Sequence, residues 1–470
     1  MFLKIIKKNS FILYSSLIFI TISVFLLFLH KDALYLFKNG DIAQYCSFIS
    51  HRNLLQLSIH IGYYMIGILF NSISIFPVIN TMNILNVIFS AGSVVMCLLI
   101  THYFNENKNS FYALLGCFAL LTNHTFQINT SLSEIYMCQS FLNLLTLFLF
   151  LKGYYFISGI IFFLSVLVST NSILYLLMFF LSMKAWEKRI KFSIPLIIGI
   201  SLFIILLKED FIYGGRGARF YLFDPVNNIF TGRYILVRSI IGMFTDISII
   251  WLIFSITGII TFIKENKEGS IYPAGLIIGF VAGIIFNSIV SDNLLWGQDE
   301  KEIPAQLSSF MILSCFAGRG YLFIKRYGRL SKILLIIGIC FTLYYIFQWN
   351  NTVRKDINEA RHQYNLVCIT KSYEDRGCII LSLWSFYKIY SLVHYGDSER
   401  FKPPFDNLER VFIPGTTENT KFESMIRDKK SFVVTYGIPS KVVQYLTGYQ
   451  YTLKIITPGL GLLEYDILLP

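Results

Sequence analysis

The chain has 470 residues, of which 55% are hydrophobic and 14% charged, with a formal net charge of +12 and a mean hydropathy of +0.59. A soluble domain carries about 25% charged residues, whereas here the apolar residues run unbroken for roughly 16–28 positions, enough to cross a hydrocarbon core of about 30 Å. These figures exclude a soluble enzyme, a disordered chain, a collagen-like fibre and a disulfide scaffold. Runs without alternation also exclude a β-barrel, which leaves an all-α polytopic membrane protein.

In chain order, Lys4, Lys7 and Lys8 precede a first apolar run over 11–29. That run is longer than the roughly 7–15 residues of a signal-peptide core, and Leu29-His30-Lys31 offers no small-residue cleavage site, so it is read as a retained span. Further spans are expected at 81–103, 111–127 and 134–151. The stretch 153–183 is long for one crossing and has Ser169-Thr170-Asn171-Ser172 at its middle, which fits two short helices. Later spans fall at 192–207, 234–263, 272–290, 305–324 and 331–348.

The basic clusters Lys184/Lys188/Arg189/Lys191, Lys264/Lys267 and Lys325/Arg326/Arg329/Lys332 belong on the cytoplasmic side with the N-terminus. The +12 is therefore largely a topology signal and does not point to nucleic acid. Parity requires an even number of crossings before Lys184. Either 55–76 stays out of the bilayer and 153–183 crosses twice, or 55–76 crosses and 153–183 is one long helix. The first solution gives about eleven transmembrane helices in a domain over 1–348. The remainder, 349–470, carries more charge and reads as a small extracytoplasmic α/β domain. Within it, Cys378 to Leu383 and Ser431 to Tyr436 look like buried strands, followed by a short helix from Pro439 to Leu446. Cys368 and Cys378 are either a disulfide or two unpaired thiols, and no Cys/His spacing marks a metal site.

Polar residues beside a membrane are costly unless used or solvated, and the outer loops concentrate them. The first loop holds Asp41, His51 and His60-Ile61-Gly62-Tyr63-Tyr64. The second runs through Asn129 to Glu134-Ile135-Tyr136. A third spans Ser291 to Pro304, with Trp296 and Lys301, and a fourth contains Gly214-Gly215-Arg216-Gly217-Ala218-Arg219. Sequons occur at Asn123, Asn129 and Asn350.

Asp41 after the first span, the aromatic-rich His60-Ile61-Gly62-Tyr63-Tyr64, and Glu134-Ile135-Tyr136 at the head of an apolar helix resemble the GT-C fold membrane glycosyltransferases. The branch related to protein O-mannosyltransferases is the most similar. The resemblance covers roughly residues 1–185, weakens towards 325 and omits the tail. This chain lacks both prolines of the family's His-Pro-Pro motif, and its His60 stands one residue closer to the Gly. The resemblance implies that 55–76 lies along the outer membrane surface, in agreement with the first parity solution. It also implies a polyprenyl-phosphate sugar donor and a glycan, lipid or protein acceptor.

The chemistry of such a site needs a base for the acceptor, a role in which a carboxylate at an apolar boundary serves well. It also needs cations to hold the donor phosphate as charge develops. Asp41 is the candidate base or acceptor-binding carboxylate, and Glu134 a second acid for acceptor or metal. His60 and Tyr63 are candidate substrate contacts, and Arg216, Arg219 and Lys301 candidate phosphate ligands. No cofactor is called for, and no Asp-x-Asp metal motif occurs in the first loop. The competing readings are a lipid-linked glycan flippase or a polysaccharide polymerase.

Overall fold

The computed structural model describes residues 2–31, 40–50, 60–106, 110–130, 135–206, 248–265, 271–290, 307–382, 384–395, 404–405, 416–435, 440–458 and 460–465. The chain divides into two compact units. One is Met1–Lys31 with Asn53–Val353; the other is Asp32–Arg52 with Arg354–Pro470.

The regular elements of the first unit are helices among its described residues, with one isolated β-bridge between Met183 and Ile271. Val78–Phe104, Leu307–Tyr327 and Arg329–Glu374 are long and apolar enough to cross a membrane, and shorter apolar helices pack with them. Exposed apolar stripes mark the lipid-facing sides. On the helix Ile249–Glu265, for example, Ile249, Ile253, Ile256 and Ile260 recur at helical spacing and all are exposed. In a soluble helix such a stripe would face the core.

Helix contacts rely on small residues. A Cβ on Gly320 would meet the Phe254 carbonyl oxygen at 1.7 Å, and one on Gly258 would meet that of Phe316 at 2.0 Å. The helices Ile249–Glu265 and Ala317–Ile324 therefore touch backbone to backbone, as small residues permit in membranes.

Some of these segments keep the expected form and others depart from it. The helix Ile61–Ile73 has 13 residues, about 20 Å, which is short of the bilayer core. The stretch 153–183 is broken as its polar centre implies, into Tyr155–Val168, a 3-10 turn over Thr170–Tyr175, and Leu176–Ser182. The span expected over 111–127 is two helices, Ser110–Leu121 and His124–Asn129. Asn123 starts the second by accepting a hydrogen bond from the Phe126 amide at 2.7 Å, the usual work of an Asn N-cap. The span 305–324 is continuous over Leu307–Tyr327 apart from a turn at Cys315 and Phe316, between Leu307–Ser314 and Ala317–Ile324. The helix beginning at Arg329 does not stop near 348 but continues to Glu374, 46 residues in all. Leaving an apolar environment does not end a helix when no proline or glycine follows, and the next such residue is Gly377, which takes a φ of 82° just past the helix end. The boundary between the two units falls within this helix.

The second unit contains a four-stranded sheet in the order β1-β2-β4-β3. The strands are β1 (Ile379–Leu381), β2 (Phe432–Thr435), β3 (Tyr451–Thr457) and β4 (Leu460–Tyr465). β1 runs parallel to β2, with Ile380 opposite Val433, and the other pairs are antiparallel. Alternation along the strands builds two cores. Phe432, Val434 and Leu463 face a cluster with Phe422, Ile426 and Leu446, while Val433, Leu460 and Leu462 face Leu366. Cys368 and Cys378 are free thiols. The helix Gly40–Ser50 also belongs here and packs against Trp384–Tyr395.

Candidate functional site

In the second unit, Gly40-Asp41 opens the helix Gly40–Ser50. An acid in the first helical turn is favoured by the macrodipole. The Asp41 backbone is helical, but its side chain lies outside the described ones. One turn on, the Gln44 Oε1 accepts a hydrogen bond from the Lys388 Nζ. Lys388 is only 4% exposed, and Ile42, Cys46, Phe48 and Ile49 are buried on the same short helix. The tail thus supplies a buried cation to the helix that carries Asp41, a pairing that no local sequence signal announces.

Nearby in this unit, Glu374 accepts from Lys371 Nζ at 2.6 Å, from Tyr390 OH at 2.6 Å and from Tyr395 OH at 2.6 Å. Burial first, and then the Glu374 carboxylate, push the Tyr390 and Tyr395 phenols above their ordinary value.

In the first unit, the segment leading to Glu134 is pinned from several sides. Asn86 Nδ2 donates to the carbonyl oxygens of Asn129 at 3.0 Å and Thr130 at 2.9 Å. Thr130 Oγ1 donates to Gln127 O at 2.6 Å and lies 3.3 Å from His30 Nε2. Trp349 Nε1 donates to the same Gln127 carbonyl at 3.1 Å. Asn123 and Asn129 are 0% and 1% exposed, so neither sequon presents its amide to solvent. Glu134 itself, with His51, Arg216, Arg219, Trp296 and Lys301, lies outside the described residues.

His60 Nδ1 donates to the Val168 carbonyl oxygen at 2.9 Å, at the C-terminal end of the helix Tyr155–Val168. Tyr63 is 2% exposed, inside the same unit. Both residues are held against the protein, beside the break at Ser169.

Two polar clusters went unread in the sequence. In the first, Asn143 donates to Ser308 at 3.0 Å and Ser172 at 3.4 Å and accepts from Ser165 at 2.8 Å. Ser140 lies 3.0 Å from Ser308, and Tyr175 OH 2.6 Å from Ser309. This neutral network joins four elements inside the apolar unit, as polar side chains in lipid require. The second centres on Arg319, 4% exposed, which reaches the Phe104 carbonyl, Glu265 at 3.1 Å and Glu106 at 3.4 Å. An arginine interrupting the apolar run 305–324 was the available signal. Among the described residues, no group of three His, Cys, Asp or Glu is placed to hold a metal ion.

No protein-family model matches the chain, and no curated protein matches it. Solved structures do resemble it. Crystallised ArnT from Cupriavidus metallidurans in the apo state aligns over 98% of this chain and 98% of its own, with a TM-score of 0.55 at 8% identity. The crystal structure of the same protein bound to undecaprenyl phosphate aligns over 96% of this chain and 98% of its own, with a TM-score of 0.51 at 9% identity. At such identity the likeness speaks to architecture, and it covers the tail as well as the helices. The chain is a multi-pass integral membrane protein with the GT-C fold and a small C-terminal α/β unit.

Proposed function

We propose that this protein is a membrane glycosyltransferase that moves a sugar from a polyprenyl-phosphate donor to an acceptor on the extracytoplasmic face. The observation that carries the reading is the full-length likeness to a fold that, in ArnT, is crystallised with undecaprenyl phosphate. The occurrence of Asp41 in the sequence of the helix Gly40–Ser50 supports it, because the resemblance to the family leads one to look for an acid after the first span.

In the reaction, an acceptor hydroxyl or amine attacks the anomeric carbon of the donor sugar. The new bond forms to that carbon as its bond to the phosphate oxygen breaks, and polyprenyl phosphate leaves with the electron pair. Asp41 takes the acceptor proton, and Glu134 orients the acceptor. Lys301, Arg216 and Arg219 neutralise the departing phosphate, a role for which guanidinium and ammonium groups are suited. His60 and Tyr63 act through position, His60 by tying the start of the helix Ile61–Ile73 to Val168 and Tyr63 by its burial on that helix. The basic clusters put the N-terminus in the cytoplasm and the C-terminal unit outside.

The test is transfer by purified protein in proteoliposomes supplied with labelled polyprenyl-phosphate sugars, read as release of polyprenyl phosphate. Asp41→Asn should reduce transfer by about 10²-fold or more, the scale of general-base catalysis, with an unchanged melting profile relative to other surface-loop variants. Transfer at the normal rate in Asp41→Asn would refute the mechanism.

A further inference from the structure

We propose that an anionic phospholipid seats its headgroup phosphate on Lys152 and Lys188, at the basic end of the helices Tyr155–Val168 and Trp186–Leu206. The inference needs no part of the proposed reaction. It takes from the proposed topology only that this end lies on the cytoplasmic side.

Lys152 belongs to none of the basic clusters that the sequence sets beside its apolar runs. It follows the helix Ile135–Leu151, and the fold links it to Lys188 through two tyrosine rings. The Lys152 Nζ stands 5.5 Å from the centre of the Tyr103 ring, and the Lys188 Nζ 5.4 Å from that of Tyr155. Tyr103 and Tyr155 are themselves close enough to interact electrostatically, so the four side chains form one continuous patch.

A ring face attracts an ammonium without neutralising it. The group has three donors, and a ring on one side leaves N–H groups for an acceptor on the other. Glu187, the acid next to Lys188, is bound to Lys191 at 2.5 Å. Lys152 is exposed and Lys188 partly so, which leaves both within reach from outside. They offer two positive charges in one patch, the complement of a phosphate.

The surroundings select a lipid over a free anion. Tyr154 lies between Lys152 and Tyr155 in the chain, and Trp186 stands two residues before Lys188. They are 57% and 68% exposed, amphipathic rings of the kind that sit at headgroup level. From there the two helices run side by side in the same direction. A Cβ on Gly159 would meet the Phe192 carbonyl oxygen at 2.2 Å, and one further along, on Gly199, would meet the Phe163 ring at 2.5 Å. Phe156 and Ile160 on one helix, and Ile190 and Ile194 on the other, are exposed and give hydrocarbon tails an apolar surface. Cations, interfacial rings and an apolar flank in that order match a phosphate head on acyl chains, as in basic sites for anionic headgroups between membrane helices.

The experiment titrates the purified full-length protein in detergent with short-chain phosphatidylglycerol and reads the melting temperature, with no sugar donor present. Short-chain phosphatidylcholine and inorganic phosphate are run in parallel. Phosphatidylglycerol should raise the melting temperature by several degrees and saturate, and the other two should not. In Lys152→Gln/Lys188→Gln most of that rise should vanish. Lys325→Gln, which removes a cation of the same basic end that bonds to Tyr112 at 2.7 Å, should keep it. Where the double variant does not fold, Lys152→Gln alone should weaken the apparent affinity several-fold and Lys152→Arg should restore it. An equal rise with phosphatidylcholine or with inorganic phosphate, an undiminished rise in the Lys152 and Lys188 variants, or an equal loss in Lys325→Gln overturns the proposal. None of these outcomes involves transfer, so they are distinct from a failure of the proposed function, which Asp41→Asn decides.

Discussion

Asn143 and Glu374 each gather three partners, but in different units and with different chemistry. Asn143, in the apolar unit, exchanges neutral hydrogen bonds with Ser165, Ser172 and Ser308. Glu374, in the second unit, binds an ammonium and two phenols through short hydrogen bonds of 2.6 Å. A carboxylate in the position of Asn143 would carry a desolvation cost that lipid cannot relieve. At Glu374 the Lys371 charge and partial access to water relieve it. The same need, to tie helices together through polar groups, is met by hydroxyl and amide groups in one environment and by ions in the other.

Three substitutions test how far that contrast goes. The largest effect should come from Gly320→Val, because the Gly258–Gly320 contact uses neither kind of polar tie and leaves no room for a side chain. Forcing those helices apart should cost about 3 kcal/mol, seen as a large drop in the melting temperature of the purified protein. Next, Glu374→Gln should cost about 2 kcal/mol, since charge-assisted hydrogen bonds are replaced by neutral ones while Lys371 stays. Because Lys371 is 30% exposed, added salt should narrow the gap from the wild type. The smallest effect should come from Asn143→Leu, about 1 kcal/mol, the usual worth of such bonds between membrane helices. The Ser165–Ser172 and Ser140–Ser308 pairs remain to each other after the change, and salt should have no influence. A salt-sensitive loss at Asn143 would break the contrast.

What could be read in advance follows the same division. Apolar runs state where lipid is, so the membrane helices and the interruption at Ser169 to Ser172 were legible. The interruption at Asn123 was legible in principle, since an Asn three residues before an amide it can bond is a helix start. The extension of the last long helix to Glu374 was not, because the change from apolar to charged residues at Trp349 reports solvent and not backbone. Of the candidate site, Asp41 and His60 were singled out by residue type; Asp41 falls in the helix Gly40–Ser50, and His60 stands immediately before Ile61–Ile73. Lys388 and Asn86 could not be found that way. Each acquires meaning only from a partner remote in the chain, Gln44 for one and Thr130 for the other, and nothing near either residue names that partner.

The brevity of Tyr155–Val168 has a mechanical consequence for the surrounding lipid. With 14 residues it is about 20 Å long, against a hydrocarbon thickness of about 30 Å. Phe156, Ile157 and Ile160 along it are exposed. Hydrophobic mismatch costs only fractions of a kcal/mol per ångström, so a bilayer can thin to meet so short an apolar face, and the polar break at Ser169 to Ser172 is what keeps that face short.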